Sequence, residues 1–139
     1  MGSIVVDEGQ WPLVVVRWPQ ALPTDQELQD MLHVLARMYG RPHAVLHDGI
    51  RAAGLSAAQR KTLTRHTAQY EDEIRRWVVA AAAAVPSTFI RGIITMVQWV
   101  TPSPCPFRSF ARYQEAEEWL VQALRRAGVT RQTPAPPEM

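Results

Sequence analysis

The sequence predicts an α/β protein: a mixed five-stranded sheet covered by about four helices, in the order β-β-α-β-α-β-α-β-α. Three observations carry this. Trp77 to Val85 contains no polar side chain, so whatever forms there is buried on every side. Two β-rich runs, Ile4-Val5-Val6 and Trp11 to Trp18, precede the first helix. Two capping boxes, Thr24-Asp25-Gln26-Glu27 and Ser56-Ala57-Ala58-Gln59, then open helices between further apolar runs.

The apolar run decides the fold. Its five consecutive alanines favour a helix by intrinsic propensity. A central strand buried on both faces of a parallel sheet also reads as one continuous apolar run. Trp77, Val78 and Val79 suit a strand, and Pro86 pushes Val85 toward extended geometry. The strand reading therefore prevails, followed by a turn at Pro86-Ser87 and a buried helix over 88–100. Phe89, Ile90, Ile93, Ile94, Met96, Val97 and Val100 make that helix apolar almost all round.

The other elements follow in order. Asp7-Glu8-Gly9-Gln10 reads as the turn of an opening hairpin. Strict alternation then sets Trp11, Leu13, Val15 and Arg17 on one face, with Pro12, Val14, Val16 and Trp18 on the other. After Thr24, the spacing of Leu28, Met31, Leu32, Leu35, Met38 and Tyr39 is helical, and Gly40 and Pro42 stop the helix. Ala44-Val45-Leu46 is a short buried strand ending at His47-Asp48-Gly49. Ser56 opens a long polar helix running to Trp77, with Leu63, Thr67, Tyr70 and Ile74 inward. Pro102, Pro104 and Pro106 force an extended connection to a strand at 107–110. Ala116, Trp119, Leu120, Ala123 and Leu124 face inward from a last helix over 114–127, which Gly128 closes. Residues 1–127 are expected to form one domain, and 128–139, rich in proline, a disordered tail.

Composition narrows the function classes. The chain has 139 residues, 47% of them apolar and 20% charged, as in a globular protein. The nine-residue apolar run is too short to span a membrane, and no basic segment precedes an apolar core at the N-terminus, so no signal peptide is expected. One cysteine, Cys105, excludes an internal disulfide framework and points to a reducing cytoplasm. The formal charge is only +2 and the basic residues are scattered, which disfavours a nucleic-acid partner. His33, His43, His47 and His66 make no metal-ligand spacing, and no glycine-rich phosphate loop or G-x-S-x-G occurs, so no cofactor or metal is expected.

A few residues stand out as binding or regulatory candidates. Ser56 caps its helix, and a phosphate there would meet a helix N-terminus. Arg60, one turn on, joins it. Asp48 ends a buried strand, where open α/β sheets bind ligands, although an Asp-Gly pair also makes its own turn. Arg91, in an apolar helix, needs a partner, either a carboxylate such as Asp48 or an anion at that helix end. Trp11 and Trp18, expected on opposite faces of an edge hairpin, would leave one aromatic ring in solvent as an interaction signal.

The second half of the chain resembles the STAS/SpoIIAA-like family, including its SEC14-like branch. The matching residues are the helical stretch Arg60 to Trp77, then VVAAAAAVPS, FIRGIITMVQW, the proline-rich Pro102 to Phe110, and EAEEWL at Glu115 to Leu120; Asp48 fits as well. The likeness spans residues 4 to 127. It implies a small non-catalytic domain for regulation, protein contacts, or binding of a nucleotide or lipid. In the antagonist branch a partner kinase phosphorylates a serine at the start of the second main helix, and Ser56 is the nearest counterpart. The Asp-Ser-Ser-Gly-like signature that normally surrounds that serine is absent.

The resulting expectation is a non-enzymatic regulatory or protein-interaction domain of a bacterial cytoplasm, with another protein or a second copy of the chain as partner. Two alternatives stand beside it. One is a small-molecule or lipid binder with a cleft beside the 89–100 helix. The other is a small enzyme using Asp48, Arg91 or Cys105.

Overall fold

The computed structural model describes residues 3–52, 54–88, 90–92, 94, 95 and 102–130. Five strands, β1 (Val5–Gln10), β2 (Leu13–Arg17), β3 (His43–Asp48), β4 (Val78–Ala84) and β5 (Phe107–Phe110), lie side by side in sequence order. β1 is antiparallel to β2, and the remaining neighbours are parallel. The helices are α1 (Asp25–Met38), α2 (Ala57–Gln69), α3 (Glu71–Trp77), a helical segment α4 containing residues 88, 90–92, 94 and 95, and α5 (Tyr113–Arg126).

The alanine run is a strand, as expected. β4 is hydrogen-bonded to β3 on one side and β5 on the other. Two bonded neighbours override the helical preference of alanine. Helix gives way to strand with no loop between them: Trp77 ends α3, and Val78 is already extended at φ −87°, ψ 107°. The small side chains also let both layers come close. Ala80, Ala82 and Ala84 pack with Ala116, Leu120 and Leu124 of α5, while Val78 and Ala81 face Leu28, Leu32 and Ile74. Thus α1, α2 and α3 cover one face of the sheet and α5 the other.

Five expectations are corrected. The hairpin turns at Trp11-Pro12, through a cis peptide bond, and β1 runs on to Gln10. Asp7 Oδ1 accepts the Gly9 amide at 2.8 Å, so the Asp-Glu-Gly chemistry makes an irregularity within the strand rather than its end. Because of that turn, Trp11 does not share the Leu13 and Val15 face. It packs with Val14 and Val16, on the same side as Trp18.

The helix from Ser56 does not run unbroken to Trp77. It breaks at Tyr70 (φ −107°, ψ 24°), where the ring is held against Tyr39 and His66 at centroid distances of 5.4 and 4.7 Å. No glycine or proline marks that position, so the cause is tertiary packing. Of the buried helix expected over 88–100, Ile90 is 42% exposed, while Phe89, Ile93, Met96, Val97 and Val100 lie outside the described residues. Val129, assigned to the tail by sequence, is buried in the α5-side core and donates to the Leu124 carbonyl at 2.9 Å; residues 131–139 lie outside the described set.

Candidate functional site

The parallel strands end together. Register aligns Arg17 with Asp48, Asp48 with Ala84 and Ala84 with Phe110. The segments leaving these ends are laced to one another. The Trp18 amide donates to the Asp48 carbonyl at 3.0 Å, Gly49 to Ala84 at 2.9 Å and Val85 to Phe110 at 2.8 Å. Glycine suits this closeness: a Cβ at position 49 would lie 3.3 Å from both the Ala84 oxygen and Val85 Cγ2, so the neighbours would have to give way.

Beneath the lacing, Trp18 Nε1–H donates to His47 Nδ1 at 3.1 Å. Burial pushes the His47 pKa down to about 4, so its imidazole is neutral, with the proton on Nε2. Trp18 is therefore half-buried and committed, and Trp11 is 8% exposed at the opposite end of β2. The expected solvent-facing aromatic ring is present at neither position.

The α2 N-terminus is fixed to that of α1. Ser56 Oγ accepts the Gln59 amide at 3.1 Å, and Gln59 Oε1 accepts the Ser56 amide at 3.0 Å. Gln59 is also buried, and its Nε2 donates to the Pro23 carbonyl at 2.7 Å and to Asp25 Oδ1 at 3.2 Å. The capping box was legible in the sequence; the tether to Pro23 was not. Arg60 is exposed and reaches back to the Leu55 carbonyl at 2.8 Å.

Asp48 takes the turn role, its Oδ1 accepting the Ile50 amide at 3.2 Å. Arg91 does not pair with it. The Arg91 guanidinium donates to the Val85 and Pro86 carbonyls, both at 2.8 Å, and to Thr88 Oγ1 at 3.2 Å. The carbonyls that the Pro86 turn leaves without a helical or strand partner satisfy the charge where a carboxylate was expected. Cys105 stands before β5, at the end of the sheet opposite to Asp48, so the three residues of the enzyme alternative do not converge. Burial also raises the Cys105 thiol pKa, which disfavours the thiolate.

One feature escaped the sequence. The large apolar side chains exposed among the described residues are Val5, Leu22, Ile50 and Ile90, at 49, 53, 38 and 42%. Leu22, Ile50 and Ile90 follow β2, β3 and β4, and Val5 is the register partner of Arg17 at the end of β2. All four thus belong to the same end of the sheet as Ser56.

The opposite end is built differently. His43 is fully buried between Trp11 and Tyr39, with ring centroids 5.4 and 6.4 Å away, and its Nδ1–H donates to the Arg41 carbonyl at 2.7 Å. Tyr39 and His66 share a 3.1 Å hydrogen bond. On the α5 face a groove of about 350 Å³ is lined by Val79, Ala80, Pro106, Trp119, Ala123 and Arg126. Among the described residues no cluster of three or more His, Cys, Asp or Glu could hold a metal ion, and no helix is long and apolar enough to cross a membrane.

No protein-family model and no curated protein matches the chain. A solved structure does: an uncharacterized protein from the DUF3478 family with a SpoIIAA-like fold, from Shewanella loihica PV-4. It matches at a TM-score of 0.65 and 17% identity, over 85% of this chain and 92% of that one. The strand order, the buried alanine strand and this likeness together establish that the chain has a SpoIIAA-like fold.

Proposed function

We propose that the protein is a non-enzymatic interaction domain, regulatory in role, working in a bacterial cytoplasm and binding another protein through the end of the sheet where β2, β3 and β4 finish. The observation that supports this reading is the gathering of Val5, Leu22, Ile50 and Ile90 at that one end. Exposed aliphatic side chains scattered over a surface carry no message; those collected on one end mark a contact. Ser56 and Arg60 lie on the same end, so phosphorylation of Ser56 would place about two negative charges beside the contact. The unit in this reading is the single domain of residues 1–127 together with Val129, which completes its core, and a second copy of the chain is one partner it allows.

The test is recovery of a stoichiometric partner, or of self-association, by the purified chain in cell extract. Leu22→Asp with Ile50→Asp is expected to abolish recovery, while Trp119→Ala, on the other face, is expected to keep it. Recovery of nothing, or equal recovery by all three proteins, counts against the proposal.

The α5 groove supports a second reading, a small apolar ligand seated against Trp119. Native mass spectrometry of the freshly purified protein distinguishes the two: a retained small molecule lost on Ala123→Trp favours the groove.

A further inference from the structure

We infer that the interaction end takes an acidic, aliphatic peptide segment of a partner protein. The inference rests on the interaction role proposed above and adds the chemistry of the partner. The argument comes from how the charges there are used. On the α1–α2 side of this end each carboxylate is turned to an internal donor, while the exposed Glu115 and Glu118 start α5 on the other face of the sheet. Asp7 accepts from Gly9 and pairs with Arg17 at 2.9 Å. Glu27 accepts the Thr24 amide at 2.8 Å, Asp25 accepts from Gln59, and Asp48 accepts from Ile50.

Three cations at this end are left outward, although Arg17 and Arg91 are engaged internally. Arg51, Arg60 and Lys61 are exposed, and among the described residues none pairs with a carboxylate. They belong to the same short stretch as Ile50 and the α2 N-terminus, whose first turn carries no acidic residue to offset its partial positive charge. Two hydrogen-bonded seams hold the pieces together: Gln59 to Pro23 beside Leu22, and Gly49 to Ala84 ahead of the turn to Ile90. Apolar side chains flanked on the α2 side by cations that pair with no carboxylate are complementary to a segment that carries Leu, Ile or Phe among Asp and Glu.

The experiment is a random-peptide display selection on the immobilised full chain, followed by fluorescence-anisotropy titration of the enriched peptides. Enriched peptides are expected to combine acidic with large aliphatic or aromatic residues. Binding is expected to weaken about tenfold on Arg51→Glu with Lys61→Glu, to weaken as salt rises, and to weaken on Ile50→Ser. Arg126→Glu, at the far end of α5, is expected to leave it unchanged. Circular dichroism and urea melts confirm that each variant is folded.

Enriched peptides that need Ile50 but carry no acidic residues, or ignore the charge reversal, overturn the acidic partner and leave the interaction role standing. Absence of any Ile50-dependent peptide overturns both. Binding to phosphatidylglycerol vesicles with no peptide enriched also overturns the inference, by assigning the surface to a lipid headgroup.

Discussion

Gln59→Ala is the sharpest probe of how this domain is held. Gln59 is the one buried side chain of α2, at 3% exposure. Its amide completes the cap on Ser56 and ties α2 to Pro23, 36 residues earlier. Truncation removes three hydrogen bonds. A typical intramolecular hydrogen bond contributes about 1 kcal/mol net, and a buried acceptor left bare costs about 1–3 kcal/mol. Pro23 is buried, so its carbonyl faces that larger cost; the Ser56 amide and Asp25 are open enough for water to replace part of what they lose. The expected loss is about 2–4 kcal/mol, or a fall in Tm of roughly 10 °C for a chain of this length. Urea unfolding followed by circular dichroism measures it through the midpoint at constant slope. Gln26→Ala is the control, since it removes only an exposed bond to Asp30, and is expected to cost below about 0.5 kcal/mol. If Gln59→Ala costs no more than Gln26→Ala, the seam between the two helix starts does not hold the fold and the reasoning fails.

Three further predictions rest on desolvated histidines, the space around two glycines and the packing of β4. His43, His47 and His66 all have pKa values lowered by desolvation, so the unfolded chain binds more protons than the native one below pH about 6.5. Stability is therefore whole above that pH and is lost as pH falls; for His47 the loss continues to about 4 and reaches about 3 kcal/mol, at about 1.4 kcal/mol for each tenfold change in proton affinity. Unfolding midpoints that stay level between pH 7.5 and 5, measured on this scale, would refute it. Gly49→Ala is expected to cost about 1–3 kcal/mol by crowding Ala84 and Val85, whereas Gly92→Ala, helical with open space around it, is expected to stabilise by about 0.5–1 kcal/mol; paired melts that show the same sign for both contradict the geometry. Ala82→Leu, at a position with no exposure between β4 and α5, is expected to cost at least about 1–3 kcal/mol by overpacking, read as a lower urea midpoint.

The candidate residues divide by how far their signal reaches along the chain. Ser56 capping α2 was legible because a capping box spans only four residues. The Asp48 turn was legible for the same reason. Arg91 could be read as needing partners but not which ones, because the Val85 and Pro86 carbonyls become available only once β4 has ended and the turn has formed. Trp18 was misread as a surface signal because its partner, His47, lies 29 residues away. The apolar end of the sheet was illegible altogether. Val5, Leu22, Ile50 and Ile90 are unremarkable one at a time, and only the strand order brings them to one place.

Periodicity and caps acting over a few residues were enough to order the main elements and to mark both capped helix starts, and the continuous apolar run ahead of Pro86 signalled a buried strand at 78–84 against alanine's helical preference. Tertiary structure decided the hairpin turn at Trp11-Pro12, the face that Trp11 takes, the break at Tyr70 and the surface left for a partner. These depend on contacts between residues tens of positions apart, whose pairing is fixed only when the sheet is assembled and its two faces are covered.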